Sequence, residues 1–171
     1  MVGNGIPSPG KVGRARAAAI REAWCARFVE QCRRRGVRVT PQRSAVYRAL
    51  AADATHPTAE SVYDQVRAGM TTLSFATVYR ILEFLEHEGL IRKVSTTRGI
   101  TRYDANMGPH QHLVCRRCES MTDLDGQSFG KLPSSAVAPA GFLVEEIEVR
   151  VVGLCPTCRR RRGNQGKKRR V

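Results

Sequence analysis

Two cysteine pairs dominate the chemistry that this chain can do: Cys115-Arg116-Arg117-Cys118 and Cys155-Pro156-Thr157-Cys158. Four thiolates are the ligand count and softness that a tetrahedral structural zinc takes. Two residues between the cysteines of a pair let one turn wrap an ion. The distance between the pairs means that the ion would tie a late segment to an early one. The other chemistry open to such pairs is thiol–disulfide exchange, but no thioredoxin-like strand–helix context surrounds either pair. Cys25 and Cys32 fall on the apolar side of a predicted helix and read as inert core thiols.

The four histidines add a second donor set. His110 and His112 flank Gln111, and a His-x-His on extended backbone projects both imidazoles to one side, which is bidentate metal geometry. Asp104 and Asp123 bracket the pair in sequence. The run His112-Leu113-Val114-Cys115 also has a spacing that could complete the zinc, although four cysteines make that unnecessary. His56 stands in His56-Pro57-Thr58-Ala59-Glu60. His87 reads as an ordinary surface histidine.

These residues need elements to position them. From Ala15 to Arg35 the apolar residues Ile20, Trp24, Cys25, Phe28, Val29 and Cys32 recur at helical spacing, and Gly36 ends the helix. Thr40-Pro41 starts a second helix with Val46, Ala49 and Leu50 turned inward. Thr58 starts a third carrying Val62, Tyr63 and Val66. Ser74 starts a fourth carrying Val78, Ile81, Leu82 and Leu85, with Ala76, Tyr79, Arg80 and Glu83 on its outer side and Gly89 at its end. Leu90 to Ser95 and Ile100 to Asp104 read as strands around Thr96-Thr97-Arg98-Gly99, which is hairpin chemistry. The hairpin carries Arg92, Lys93, Arg98 and Arg102, so helices followed by a basic hairpin predict a winged helix.

Beyond Asp104 the pattern changes to strands at His112–Cys115, Ser120–Leu124 and Phe142–Val152, the last alternating Ile147, Val149 and Val151 against Glu146, Glu148 and Arg150. Residues 127–141 suit a short helix or loop. The expected class is α+β: a leader over 1–13 rich in helix breakers, a winged helix-turn-helix domain over 14–104, a small α/β domain with the zinc site over 105–158, and a basic, disordered tail over 159–171.

A net charge of +14 over 171 residues implies a polyanionic partner, because neutralising phosphates releases condensed counterions. Nucleic acid leads and an anionic membrane surface trails. Arg159 to Arg162, Lys167, Lys168, Arg169 and Arg170 supply eight of these charges and leave +6 elsewhere. No apolar run approaches the roughly 20 residues that span a bilayer, and the N-terminus has no signal-peptide hydrophobic region, so a cytoplasmic location is expected. There a reducing thiol pool favours metal ligation over disulfides.

Taken in order, Arg38-Val39-Thr40-Pro41-Gln42-Arg43, His56-Pro57-Thr58-Ala59-Glu60, Ala76-Thr77-Val78-Tyr79-Arg80, Arg102-Tyr103-Asp104, His110-x-His112-x-x-Cys115-x-x-Cys118 and Gly153-x-Cys155-x-x-Cys158 resemble the ferric uptake regulator family. The likeness runs from the first helix to Cys158. It implies a homodimeric repressor with a DNA-binding half and a dimerisation half, acting on AT-rich palindromic operators. By position, Thr77, Tyr79 and Arg80 would lie on the recognition helix, with Tyr79 and Arg80 contacting bases and phosphates. Arg38 would enter an AT-rich minor groove, and Arg43 would touch phosphate. Without the surrounding pattern, Arg80 would read as a solvated helix face and Tyr79 as packing.

The resemblance further implies a sensing metal between the halves, held by His56, Asp104, His110, His112 and Asp123. Imidazoles and carboxylates suit iron(II) or manganese(II) better than a thiol-containing zinc sensor does. Aspartates at both carboxylate positions resemble the peroxide-sensing branch, in which bound iron and peroxide lead to oxidation of a ligand histidine, here His56 or His110. Two departures stand out: Gln111 where relatives often carry a further ligand, which weakens a third metal site, and Glu119 where glycine usually follows the second cysteine. The rivals are an iron-dose or zinc-dose repressor, a zinc-ribbon enzyme subunit or hydrolase built on His110, His112 and Asp104, and an adaptor binding nucleic acid through its basic tail. A hydrolase needs a spare general base, and none is evident.

Overall fold

The computed structural model describes residues 14–96, 98–108, 110–124, 143 and 149–167. The expected leader over 1–13, the 127–141 segment, Phe142, Glu146, Ile147 and Glu148 of the expected last strand, and residues 168–171 lie outside the described residues. The chain divides into two units, one ending at Gly108 and the other starting at residue 109, four residues later than the boundary expected from sequence.

In the first unit, α1 (Arg14–Arg34) buries Ile20, Trp24, Phe28 and Cys32 along one stripe. It ends as glycine chemistry requires. Gly36 has φ +66°, its amide reaches Arg33 O at 3.1 Å, and Val37 N reaches Cys32 O at 2.8 Å, the paired bonds that close a helix C-terminus. Three further helices start on a hydroxyl cap. Thr40 Oγ1 accepts from Arg43 N at 3.2 Å ahead of α2 (Pro41–Ala52), and Thr58 Oγ1 from Ser61 N at 3.3 Å ahead of α3 (Ala59–Arg67). Ser74 Oγ accepts from Thr77 N at 3.2 Å ahead of α4 (Phe75–His87). Each satisfies an amide that the helix itself cannot, worth about 1 kcal/mol.

The inward faces share one core containing Val46, Leu50, Val62, Val66, Val78, Leu82 and Leu85. Burying each such side chain contributes about 1.5–3 kcal/mol. Phe28 stacks on Tyr47 with ring centroids 4.2 Å apart, locking α1 to α2.

The hairpin follows as β1 (Arg92–Ser95) and β2 (Thr101–Asp104), antiparallel with Val94 opposite Arg102. Both strands start later than expected, β1 by two residues and β2 by one. Leu90 and Ile91 point their amides back at Leu85 O, at 2.9 and 3.4 Å, so they finish the helix rather than begin the strand. Lys93 also departs from its expected place on a basic surface: Nζ lies 2.6 Å from Glu83 and 3.6 Å from Glu86, tying the hairpin to α4.

The second unit holds a three-stranded sheet in the order β4-β3-β5, where β3 is Gln111–Cys115, β4 is Met121–Leu124 and β5 is Arg150–Gly153. β3 runs antiparallel to β4 and parallel to β5. The last strand, expected from Phe142, is observed over Arg150–Gly153 among the described residues. The tail expected to be disordered from Arg159 is instead helical as α5 (Pro156–Lys167). Proline suits a first helical turn, and arginine is a good helix former, so absent apolar residues did not preclude a helix.

Candidate metal centres and nucleic-acid interface

The parallel pairing of β3 with β5 assembles the cysteines. It sets Cys115 beside Gly153, so both strands run out at the same sheet end and each leads into a Cys-x-x-Cys turn. Arg116 N donates to Gly153 O at 3.0 Å, holding the two turns together. The four Sγ atoms lie within 4.8 Å of one another, and Cys118 Sγ is 3.7 Å from Cys155 Sγ. A regular tetrahedron with zinc–sulfur bonds of about 2.3 Å has edges of about 3.8 Å, so the Cys118–Cys155 pair already stands at the spacing that zinc takes and the four donors suit one ion.

Local electrostatics favour thiolate at part of this cluster. Cys155 N donates to Cys115 Sγ at 3.3 Å, and this amide, with that of Cys118, lowers the Cys115 thiol to about 6. Ser120, whose Oγ is 3.3 Å from Cys118 Sγ, holds Cys118 low as well. Cys158 is pushed up, to about 12, by burial and then by hydrogen bonding with its thiol neighbours, a penalty on the thiolate that a dication would offset.

Glu119 closes the first turn at φ +57°, its amide donating to Cys115 O at 2.8 Å. That is left-handed backbone, which glycine adopts freely and other residues adopt at a cost of about 1–2 kcal/mol. The departure noted in sequence is thus a turn under local strain, with the glutamate side chain buried.

The five residues predicted to hold a second metal divide between the units. In the first, His56 is buried at φ +57°, just ahead of the α3 cap. Its conformation is held from the hairpin: Arg102 Nη1 donates to His56 O at 2.8 Å, and Tyr103 N to Pro57 O at 3.0 Å. Asp104, next along β2, accepts from Asn106 N at 2.7 Å through Oδ1 and turns Oδ2 toward His56 Nε2, 3.7 Å away. In the second unit, His112 and Asp123 are register partners across β3 and β4. His110 Nε2 and His112 Nε2 are 2.9 Å apart, and Asp123 Oδ1 lies 3.8 Å from the first and 4.0 Å from the second. Two nitrogens each about 2.1 Å from an ion at right angles would stand about 3 Å apart, so this half suits adjacent octahedral positions of iron(II) or manganese(II).

Arg102, which in sequence reads as one more basic hairpin residue, holds the backbone of the His56 loop. Its bond spans 46 residues, from β2 to the His56 loop. Arg102→Ala removes a charge-assisted bond worth about 1.5–3 kcal/mol from a loop already in left-handed backbone. We expect a lower melting temperature by calorimetry and weaker manganese binding by titration, with zinc content unchanged. Unaltered manganese affinity would show that the loop holds itself.

On α4, Tyr79 and Arg80 are exposed and Ala76 beside them is open to solvent. Thr77 is half-buried with its hydroxyl 2.9 Å from Ser74 Oγ. Arg38 is exposed. Arg43 lies 3.9 Å over the Phe84 ring and donates to Arg38 O at 2.7 Å, so it also ties the start of α2 to α4. Phe75 extends the exposed aromatic surface, 6.4 Å from Tyr79 and edge-on to Tyr63. His87 is exposed, as expected. No helix among the described residues is long and apolar enough to cross a membrane.

Comparison with known proteins draws these features together. Residues 34–152 match the model of the ferric uptake regulator family. The chain is 28% identical over 130 residues to the peroxide-responsive repressor PerR of Staphylococcus aureus, covering 76% of this chain and 88% of that one. Among solved structures, the Campylobacter jejuni peroxide stress regulator superposes with a TM-score of 0.59 at 27% identity, over 69% of this chain and 89% of that one. The Helicobacter pylori ferric uptake regulator Fur, whose structure has three functional metal-binding sites, superposes with a TM-score of 0.65 at 24% identity, over 81% and 93%, and speaks for the fold.

Proposed function

The chain belongs to the ferric uptake regulator family, and from that premise we propose that it is a homodimeric, metal-dependent transcriptional repressor that responds to hydrogen peroxide. It is a regulator rather than an enzyme, and it works on double-stranded DNA, in our reading at AT-rich palindromic operators in the cytoplasm. Structural zinc sits on Cys115, Cys118, Cys155 and Cys158. A regulatory iron(II) or manganese(II) is shared by His56, Asp104, His110, His112 and Asp123, with Arg38, Arg43, Thr77, Tyr79 and Arg80 meeting the operator.

The observation that carries this reading is the separation of donor types. One cluster holds only thiols, and the two half-sites hold only imidazole and carboxylate. The first suits a permanent zinc and the second an ion held loosely enough to report on supply or oxidation. Bound iron(II) supplies the reductant that converts peroxide into a local oxidant. The protein's part is to keep His56 and His110 next to that oxidant and to let the ligand set fail when one imidazole is oxidised. Aspartate at both carboxylate positions, together with the similarity to peroxide-responsive relatives, favours this branch over a metal-dose repressor.

The test is peptide mass spectrometry of iron-loaded and manganese-loaded protein after mild peroxide, with binding to a duplex bearing an AT-rich inverted repeat, selected by in vitro enrichment, followed in parallel. One oxygen added at His56 or His110 in the iron form alone, with loss of binding, is the expected result. Unmodified histidines at full iron occupancy would replace peroxide sensing with metal-dose sensing.

A further inference from the structure

Five arginines flank the cysteines of the four-thiol centre along the chain. Arg116 and Arg117 fill the first cysteine pair, and Arg159, Arg160 and Arg161 follow the second on α5. The bond from Arg116 N to Gly153 O and the 3.7 Å approach of Cys118 to Cys155 bring the two turns side by side. All five side chains are exposed, and none forms an ion pair or hydrogen bond among the described residues. Several other cations of the chain are held by a partner, Arg34 by Glu30, Lys93 by Glu83, Arg102 by two carbonyls and Arg43 by Phe84, whereas these five are gathered at one centre without one. A cluster of uncompensated like charges costs stability when the protein is alone and is relieved by a polyanion.

We propose that this cationic collar binds the sugar–phosphate backbone of duplex DNA flanking the operator, without reading sequence. The inference rests on the DNA-binding reading above and adds a second contact surface, in the unit that carries the zinc. From Arg159 to Lys167, α5 contains no apolar residue. It therefore lacks the buried face that holds a helix in a membrane interface and the apolar or aromatic anchors that centre most protein interfaces. Phosphate contact needs neither. A 12-residue helix is about 18 Å long, a length over which a duplex presents about ten phosphates. Consecutive arginines project about 100° apart, which spreads charge over a broad arc rather than one reading edge. That arrangement suits a delocalised anionic surface.

The test compares full-length, zinc- and manganese-loaded protein with R159Q/R160Q/R161Q and R116Q/R117Q variants. Fluorescence anisotropy is followed on the selected inverted-repeat duplex and on a scrambled duplex over a range of salt. Each lost phosphate contact flattens the log–log salt slope by about 0.9, so the triple variant is expected to lose up to about 2.7. Its affinity would then fall about 40-fold less than that of the parent between about 50 and about 200 mM salt. Both duplexes weaken by the same factor, and their ratio is preserved. Zinc stoichiometry is measured for each variant. R160Q/R161Q, which stands farther from Cys158, replaces any variant that loses zinc.

Unchanged slopes with sequence discrimination intact would overturn the collar and leave the repressor reading standing. Absence of metal-dependent discrimination in the parent would overturn the repressor reading, while the scrambled duplex still measures the collar. Arginine-dependent binding to structured RNA or anionic vesicles, but not to duplex, would also overturn it.

Discussion

Cys155→Ser is expected to abolish stoichiometric zinc and to unfold the second unit's sheet, with loss of operator binding as a consequence. The reason lies in how little else holds the described part of that unit. The large hydrophobic cluster runs from Ile20 to Ala105 and lies in the first unit. Among the described residues of the second, the buried apolar side chains are Val114, Cys115, Met121 and Cys158, two of them members of the thiol cluster. A sheet of four- and five-residue strands with so few buried apolar side chains among its described residues gains from a staple. Structural zinc binding contributes about 10–16 kcal/mol, comparable with the roughly 5–15 kcal/mol by which whole domains are stable. Serine keeps the volume but is a poor ligand, and it leaves the raised Cys158 thiol and its neighbours without the dication that reconciles them. Metal analysis, circular dichroism and proteolysis read the outcome, with Cys25→Ser as the control. A variant that keeps one tightly held zinc and a protease-resistant second unit would refute the four-thiolate centre.

The parts of this protein that could be read from sequence are those decided locally. Thr40, Thr58 and Ser74 announce their helices because a cap is a contact between a hydroxyl and an amide three residues on. Gly36 and Gly89 announce the helix ends because left-handed backbone is cheap for glycine. The Cys-x-x-Cys pairs declare their chemistry through spacing, and His112 and Asp123 proved to be cross-strand partners.

What could not be read depends on long-range placement. Nothing near Arg102 in sequence says that it will hold a carbonyl 46 residues away, and nothing near Lys93 says that it will turn toward Glu83. The parallel register of β3 with β5, which sets the two cysteine turns side by side, is invisible in either strand alone. α5 differs from the expected disordered tail for another reason. Composition argues that a basic segment has no core to join, which is true, but it does not stop a proline-started run of arginines from forming a helix.

Reciprocity between metal and operator gives the second large expected effect. If one ion joins His56 and Asp104 to His110, His112 and Asp123, its binding restricts the geometry in which the two recognition helices of a dimer can meet adjacent half-sites. Couplings of this kind amount to about 1–3 kcal/mol, so manganese(II) is expected to raise affinity for the inverted repeat by about 5- to 150-fold. Linkage then requires that the same duplex raise manganese affinity by the same factor. His110→Ala should remove both gains together while leaving zinc and the folded first unit intact, because His110 belongs to the second unit and is not one of the four thiol ligands. Its partner test is His56→Ala, which removes the donor from the other side. Both substitutions should give the same metal-insensitive operator affinity, because either one breaks the same clamp. A double variant no weaker than each single one is the expected signature of a shared ion. If manganese tightened operator binding in the His56→Ala protein as it does in the parent, the ion would be acting within the second unit alone, and the idea of a clamp between the two halves would be lost.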